Sequence, residues 1–351
     1  MIEERLRIKV KNRIPPYWFN FSLLVAALVL NVAVGAVFIP PVSVVDIFLN
    51  MVPGIESAVD WPAHFEVILL GIRLPHAILI IFTGAALASS GAAYQGLFRN
   101  PLADPYLIGV SSGAGLGAVI ALVIHWPHNV LGYFVIPAAA FVGAVLTVFV
   151  VYFLARVGKV VPLTTLILAG VAVGAFTSAI TSFLMLRSSQ QVHRAISFLL
   201  GGSPMSGWLP VLAAVPYLFI GLGLLSLSGH LLNILQFGEE QAIQLGLSVE
   251  RAKTLLVITA SLTTAAAVSF SGVIGFIGLI VPHVLRLVWG ADYRQLMPLS
   301  IIAGGSALLL ADTVSRWLFA PQVLPVGIVT ALAGAPFFLW ILRRAKTEVF
   351  W

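Results

Sequence analysis

QGLFRNPLADPYLIGVSSGAGLG, Gln95 to Gly117, sets Arg99, Asn100, Pro101, Asp104 and Pro105 between two long apolar runs, in a chain of 351 residues of which only 9% are Asp, Glu, Lys or Arg. Proline disfavours helix at the residue before it, so RNPLADP reads as a tight polar turn between two helices and not as a bend within one. The same pattern extends outward in both directions. The chain is 60% hydrophobic, its charged fraction is well under the roughly 25% of soluble domains, and apolar runs of about 20 residues recur along it. These features exclude an ordinary soluble domain and predict an all-α polytopic membrane protein.

Hydropathy and helix breakers place ten spans at 17–39, 67–97, 106–124, 132–155, 164–186, 209–229, 252–270, 273–289, 297–318 and 326–342. The first run exceeds a secretory h-region and lacks an A-x-A cleavage site, so it reads as a retained span. With a cytoplasmic N-terminus, the inner segments hold Arg5, Arg7, Lys9, Lys11, Arg13, Arg99, Arg156, Lys159, Arg251, Lys253, Arg286, Arg294, Arg343, Arg344 and Lys346, which is 15 of the 19 basic residues. Only Arg73, Arg187, Arg194 and Arg316 fall outside, and the outer loop from Pro40 to Glu66 carries Asp46, Glu56, Asp60 and Glu66 without a Lys or Arg. The count predicts both termini inside. The net charge of +6 is thereby assigned to membrane topology and not to nucleic acid, which would need a basic face on a soluble domain. The expected organisation is a cytoplasmic N-terminal segment 1–16, a transmembrane domain 17–343 and a cytoplasmic tail 344–351. The chain has no cysteine, which excludes disulfides and thiolate chemistry.

Gly109, Gly113 and Gly117 stand at i, i+4 and i+8 and form a bare stripe on one face of span three; Gly170 and Gly174 repeat the pattern in span five. Close helix packing is the expectation for both. A phosphate loop is the sharper reading of such a cluster, but no strand precedes it and no G-x-x-x-x-G-K-[ST] occurs. His283 after Pro282 has no second ligand at i±3 or i±4, so a hydrogen bond in a kinked helix is preferred to a metal site.

RLPHAILIIFTGAALASSGAAYQGL (73–97) echoes RAKTLLVITASLTTAAAVSFSGVIGFIGL (251–279), five spans later. An odd offset sets the two copies in opposite directions, as in an inverted repeat. The span centres carry almost no ionisable groups. Asp312 is the only acid well within a span, placed to pair with Arg316 at i+4. An ion-coupled secondary transporter normally keeps such groups, so energy for uphill transport is expected from another subunit, with the secondary transporter as the alternative.

The stretches IRLPHAILIIFTGAALASSGAAYQGLFRNPLADPYLIGVSSGAGLG, GEEQAIQLGL, SGVIGFIGLIVPHVLRL, ALLLADTVSRW and LPVGIVTALAGAPFFLWILRR together resemble the FecCD-type permeases, the membrane subunits of ABC importers for iron-siderophores, haem and vitamin B12. The resemblance runs from about Ile72 to the C-terminus. It implies a transport subunit without catalytic activity, working as a homodimer in a bacterial inner membrane. Two cytoplasmic ATPase subunits would lie below and a periplasmic or lipid-anchored binding protein above. ATP and Mg would belong to the ATPase, and no cofactor to this chain.

Carried over by motif, Gly238, Glu239, Glu240, Ala242, Gln244, Leu245, Gly246 and Leu247 would form the cytoplasmic segment that docks in a groove of the ATPase, where an ordinary surface turn is the plain alternative. Arg73 and Arg316 would meet acidic residues on the binding protein; His76 stands where the vitamin B12 permease has a second Arg. The competing reading for these is lipid snorkelling or an internal Arg316–Asp312 pair. Leu163, Thr164 and Thr165 would form the cytoplasmic gate, or Thr would simply cap a helix. The solute path would run between two copies along spans five, ten and part of eight, with Gly327, Ala331, Gly334 and Ala335 leaving it wide.

Overall fold

The computed structural model describes residues 15–52, 61–124, 130–158, 160–187, 191–202 and 205–348, without the side chains of 130, 131, 342 and 344–348. The basic residues Arg5 to Arg13, Lys159, the acids Glu56 and Asp60, and the side chains of Arg344 and Lys346 lie outside that description. The described chain is helical almost throughout: α1 Pro16–Ala33, α2 Pro41–Asn50, α3 Ala63–Phe98, α4 Val110–Val123, α5 Val130–Ala155, α6 Leu163–Arg187 and α7 Val192–Leu199, then α8 Trp208–Leu227, α9 Gly229–Gln236, α10 Glu239–Gln244, α11 Val249–Ser271, α12 Ile277–Trp289, α13 Tyr293–Trp317 and α14 Val326–Glu348. Among the described residues seven helices (α1, α3, α5, α6, α8, α11 and α13) are long and apolar enough to cross a membrane, while α2, α4, α12 and the Val326–Ile341 part of α14 are shorter apolar pieces.

The centre of the bundle is α3. From Pro75 to Leu97 it is buried along nearly its whole length, packed against α13, α11, α8 and α12. The crossing with α13 is made by two glycines: a Cβ on Gly84 would stand 2.3 Å from the Gly304 carbonyl oxygen, and one on Gly304 would stand 2.3 Å from the Gly84 oxygen. Small residues here let backbones meet, the usual means of helix association without a hydrophobic drive. Ala85 and Ala86 share a cluster with Ala266 and Ala267, whereas Tyr94 hydroxyl reaches the Val257 carbonyl at 3.3 Å and Ser261 Oγ at 2.7 Å. The helices α3 and α11 therefore run antiparallel.

The turn after α3 is polar and breaks the helix as expected, with Arg99 left-handed at the cap. Span three does not begin at 106, however. Pro105–Ile108 form one turn of 3-10 helix, with the Asp104 carboxylate accepting from Tyr106 N–H at 2.8 Å, and α4 starts at Val110 with Gly109 left-handed before it. Gly109 thus caps the helix and does not belong to its stripe, while Gly113 and Gly117 pack against α5 at Gly143 and Ala139. Gly170 of α6 meets the Leu107 carbonyl. Span eight is likewise short: residues 272–276 are not helical and α12 starts at Ile277. These two irregular pieces satisfy one another, since Tyr106 hydroxyl donates to the Ile274 carbonyl at 2.8 Å and accepts from Ile274 N–H at 3.1 Å. Non-helical backbone at such depth is tolerable only when enclosed by protein.

Two further departures have local causes. The outer loop expected at 40–66 contains α2, opened by Pro40–Pro41. Within α3 the segment Leu69–Arg73 is a π turn, in which Leu74 N–H reaches back to the Leu69 carbonyl. Pro75 has no N–H with which to continue that register, so the Leu70 carbonyl is left over, and Trp208 Nε1 donates to it at 2.9 Å.

Candidate functional site

The candidate residues gather at the two ends of α3. At the Arg73 end the π turn aims the Arg73 guanidinium at the C-terminus of α1, where it donates to the carbonyls of Val32 at 2.6 Å, Ala33 at 3.0 Å and Val37. Val32 and Ala33 are in the last turn of α1, where carbonyls lack intrahelical partners, and a cation beside them also suits the helix dipole. Arg73 is buried.

Asp312 is the hub of this end. Its Oδ1 lies 3.0 Å from His76 Nε2, which donates to it, and its Oδ2 takes a 2.8 Å ion pair from Arg316 and a 2.9 Å hydrogen bond from Asn31 Nδ2. Arg316 also donates to the Asn31 carbonyl at 3.1 Å, and Asn31 to Thr313 Oγ1 at 3.0 Å. One carboxylate thus takes a guanidinium, an imidazole and an amide. Arg73, His76, Asp312 and Arg316 line a cavity of about 320 Å³ together with Ser197, Ser206 and Ser271. Arg316 Nε is buried and without a hydrogen-bond partner among the described residues. The i+4 pair of Asp312 and Arg316 was readable from spacing. The parts played by Asn31 and His76 were not, although an Asn deep in an apolar span is itself a signal.

At the Phe98 end lies α10. Gln236 Nε2 donates to the Gly96 carbonyl at 2.9 Å, and Arg99 Nη1 stands 3.5 Å from where a Gly238 Cβ would sit. The six-residue helix is anchored by buried Ala242 and presents Glu240, Ile243, Gln244 and Leu245 to the outside. Gly238 at φ +104 opens it and Gly246 at φ +85 closes it, with Gly246 N–H donating to Ile243 O at 2.9 Å and Leu247 N–H to Ala242 O at 3.0 Å. Ile243 and Leu245 are each more than 60% exposed, an apolar pair on an otherwise polar element.

Leu163, Thr164 and Thr165 form the first turn of α6, with Thr164 exposed and the other two half-buried. This turn sits near α10, because Val161 N–H, two residues upstream, donates to Glu250 Oε2 at 3.3 Å, and Glu250 opens α11 just after α10. Of the seven long helices α6 is the least enclosed, with 17% of its most apolar window buried; Leu168, Val171, Phe176, Phe183 and Leu186 lie bare. On α14 the expected width is partly filled by the chain itself: Gly327 meets the Leu200 carbonyl and Gly334 meets the Phe276 ring, leaving Ala335 exposed and Ala331 half-buried. The His283 ring packs edge-on to Phe337 at 6.5 Å.

A bundle of long apolar helices closed around α3, bearing polar clusters at both ends and an uncovered flank, defines a multi-pass membrane protein. The chain belongs to the FecCD transport family, whose profile it matches over residues 23–344. It is 40% identical over 341 residues to an uncharacterized ABC transporter permease protein, YvrB of Bacillus subtilis, covering 97% of this chain and 96% of that one. It is 43% identical to the cobalamin import permease BtuC of Halobacterium salinarum, covering 88% and 86%, and 41% identical to the hemin transport permease HmuU of Yersinia pestis, covering 80% and 84%. A solved structure of a metal-chelate type ABC transporter in an inward-facing conformation superposes with a TM-score of 0.80 at 28% identity, over 93% of this chain and 98% of that one. Membership of this family makes the chain a permease subunit and implies a partner ATPase and a substrate-binding protein.

Proposed function

We propose that two copies of this chain form the pathway of a binding-protein-dependent importer for a large metal chelate, an iron-siderophore, haem or corrinoid, in a bacterial inner membrane. Ten spans related by an inverted repeat, both termini cytoplasmic, fit the distribution of basic residues. Two ATPase subunits carry the ATP and Mg, and the permease itself binds no cofactor. The uncovered face of α6 supports a second copy across the pathway, since Leu168, Val171 and Phe176 otherwise face lipid or solvent.

The observation that carries the reading is α10, a short helix projecting Ile243 and Leu245 beside acidic Glu240 at the same end as the start of α6. Segment 238–247 docks on the ATPase, and Leu163 to Thr165 gate the cytoplasmic mouth. At the other end Arg73, His76 and Arg316, which line one cavity, meet acidic residues of the binding protein. Reconstitution in liposomes with the ATPase and binding protein tests this: uptake of the chelate should require ATP and all three components. Uptake by this chain alone, driven by a proton or sodium gradient, would establish the secondary transporter instead.

A further inference from the structure

Lys253 reaches both α10 and the acidic first turn of α11, and it is buried, with 7% of its side chain exposed. Its Nζ bridges two carboxylates, Glu239 Oε1 at 2.7 Å and Glu250 Oε1 at 3.1 Å. The second oxygen of Glu250 accepts from Val161 N–H at 3.3 Å. Val161 is itself buried. It leads through Pro162 into α6, whose first helical bond runs from Leu166 N–H to the Pro162 carbonyl at 3.0 Å. The turn ahead of it is closed by paired bonds between Val157 and Val160 at 2.9 and 3.2 Å, and α11 is tied to α5 by Tyr152 hydroxyl and Thr254 Oγ1 at 2.7 Å.

We infer that Lys253 is a positioning residue for transport: the chain Glu239–Lys253–Glu250–Val161 N–H mechanically joins the α10 helix to the entry of α6, so that a shift of α10 is delivered to Thr164. This rests on the reading of 238–247 as the ATPase-docking segment and of 163–165 as the gate. Physical reasons favour a link over a passive surface pair. An exposed ion pair yields to water and contributes little, whereas a buried ammonium must keep its partners or bear the desolvation cost. The two carboxylates are partly exposed, so the buried ammonium is the fixed centre to which both are held. The link is also stiff, because each step spans three residues or fewer of helix or a single hydrogen bond.

The native chain has no cysteine, so a single Thr164→Cys change labels the gate once per copy. Spin labels there, in the assembled complex in liposomes, report the distance between the two gates with and without ATP and vanadate. Wild type should show a nucleotide-dependent change. Lys253→Met, which keeps the aliphatic stem, should lose that change and cut ATP-driven uptake by about tenfold, with the complex still assembled and hydrolysing ATP; Lys253→Arg should restore both. A merely structural lysine would instead lower assembly or thermal stability in Lys253→Met and leave the gate response per assembled complex intact, and that result overturns the inference. A wild-type gate that ignores nucleotide while uptake proceeds withdraws the gate assignment and the relay with it, whereas normal gate motion in Lys253→Met removes the relay alone.

Discussion

Gly246 closes α10 with a left-handed backbone at φ +85, and nothing lies within 4 Å of the Cβ a substitution would add. Inside this chain a side chain there meets open space, so the cost of replacement is conformational alone. For an ordinary L-residue that cost is about 1–2 kcal/mol, less for Asn, which tolerates the left-handed region, and more for a β-branched residue. The turn it would loosen holds two hydrogen bonds, to Ile243 O and Ala242 O at 2.9 and 3.0 Å. A six-residue helix has little intrinsic stability to spare, so a loss of that size lowers the ratio of ordered to disordered α10 by about 5- to 30-fold. The expected order of ligand-stimulated ATP hydrolysis in reconstituted complexes is wild type, then Gly246→Asn close behind, then Gly246→Ala, with Gly246→Val lowest. Binding-protein association should be equal in all four, because the Asp312 cluster lies at the far end of α3. Equal activity of the Asn and Val variants would refute the backbone argument. Equal failure of all three would show that the ATPase surface, approaching too closely for any side chain, is what requires glycine. Gly246→Glu, which adds charge and bulk to the strain, should abolish stimulation and uptake.

Gly84→Leu should destabilise the bundle by about 3 kcal/mol, read as a lower unfolding temperature in detergent, because the Gly304 carbonyl at 2.3 Å leaves no room for a Cβ; an unchanged temperature would mean that α3 and α13 can part freely. Asp312→Asn keeps the shape of the hub and removes its charge from Arg316, at a cost of about 3 kcal/mol, while Asp312→Leu combined with Arg316→Met should recover more than half of that loss; no recovery in the double variant would point to His76 and Asn31 as the partners that matter. Asp292 caps α13 through Arg294 N–H at 2.9 Å and accepts from Asn233 at 2.6 Å. The Asn233 amide and then the Arg294 N–H hold its carboxyl below the usual range. A depressed acid stabilises the fold above its unfolded pKa and ceases to do so as pH falls through the folded one. Asp292→Ala should therefore cost about 1 kcal/mol at pH 7 and progressively less below about pH 4, measured by thermal unfolding against pH; a pH-independent difference would remove the charge from the explanation.

Composition and local rules determined a good deal by themselves. Low charge and recurrent apolar runs can be buried only in a membrane-type bundle, and Pro101 and Pro105 end α3 whatever surrounds them, because the missing N–H is a property of the residue. The short motifs sufficed for the family, and the glycines of GEEQAIQLGL marked both ends of α10, where φ is positive. Pro75 likewise carried the signal of a broken helical register, although not its resolution by Trp208. What remained was decided by packing between residues far apart in the chain. Asn31 reaches Asp312 across 281 positions and His76 reaches it across 236, and Lys253 finds Glu239 because α10 folds back on α11. Such pairings have no period or spacing to read. They follow from where α3 lies among its neighbours, and that depends on contacts such as Gly84 with Gly304, which only the assembled bundle brings within reach.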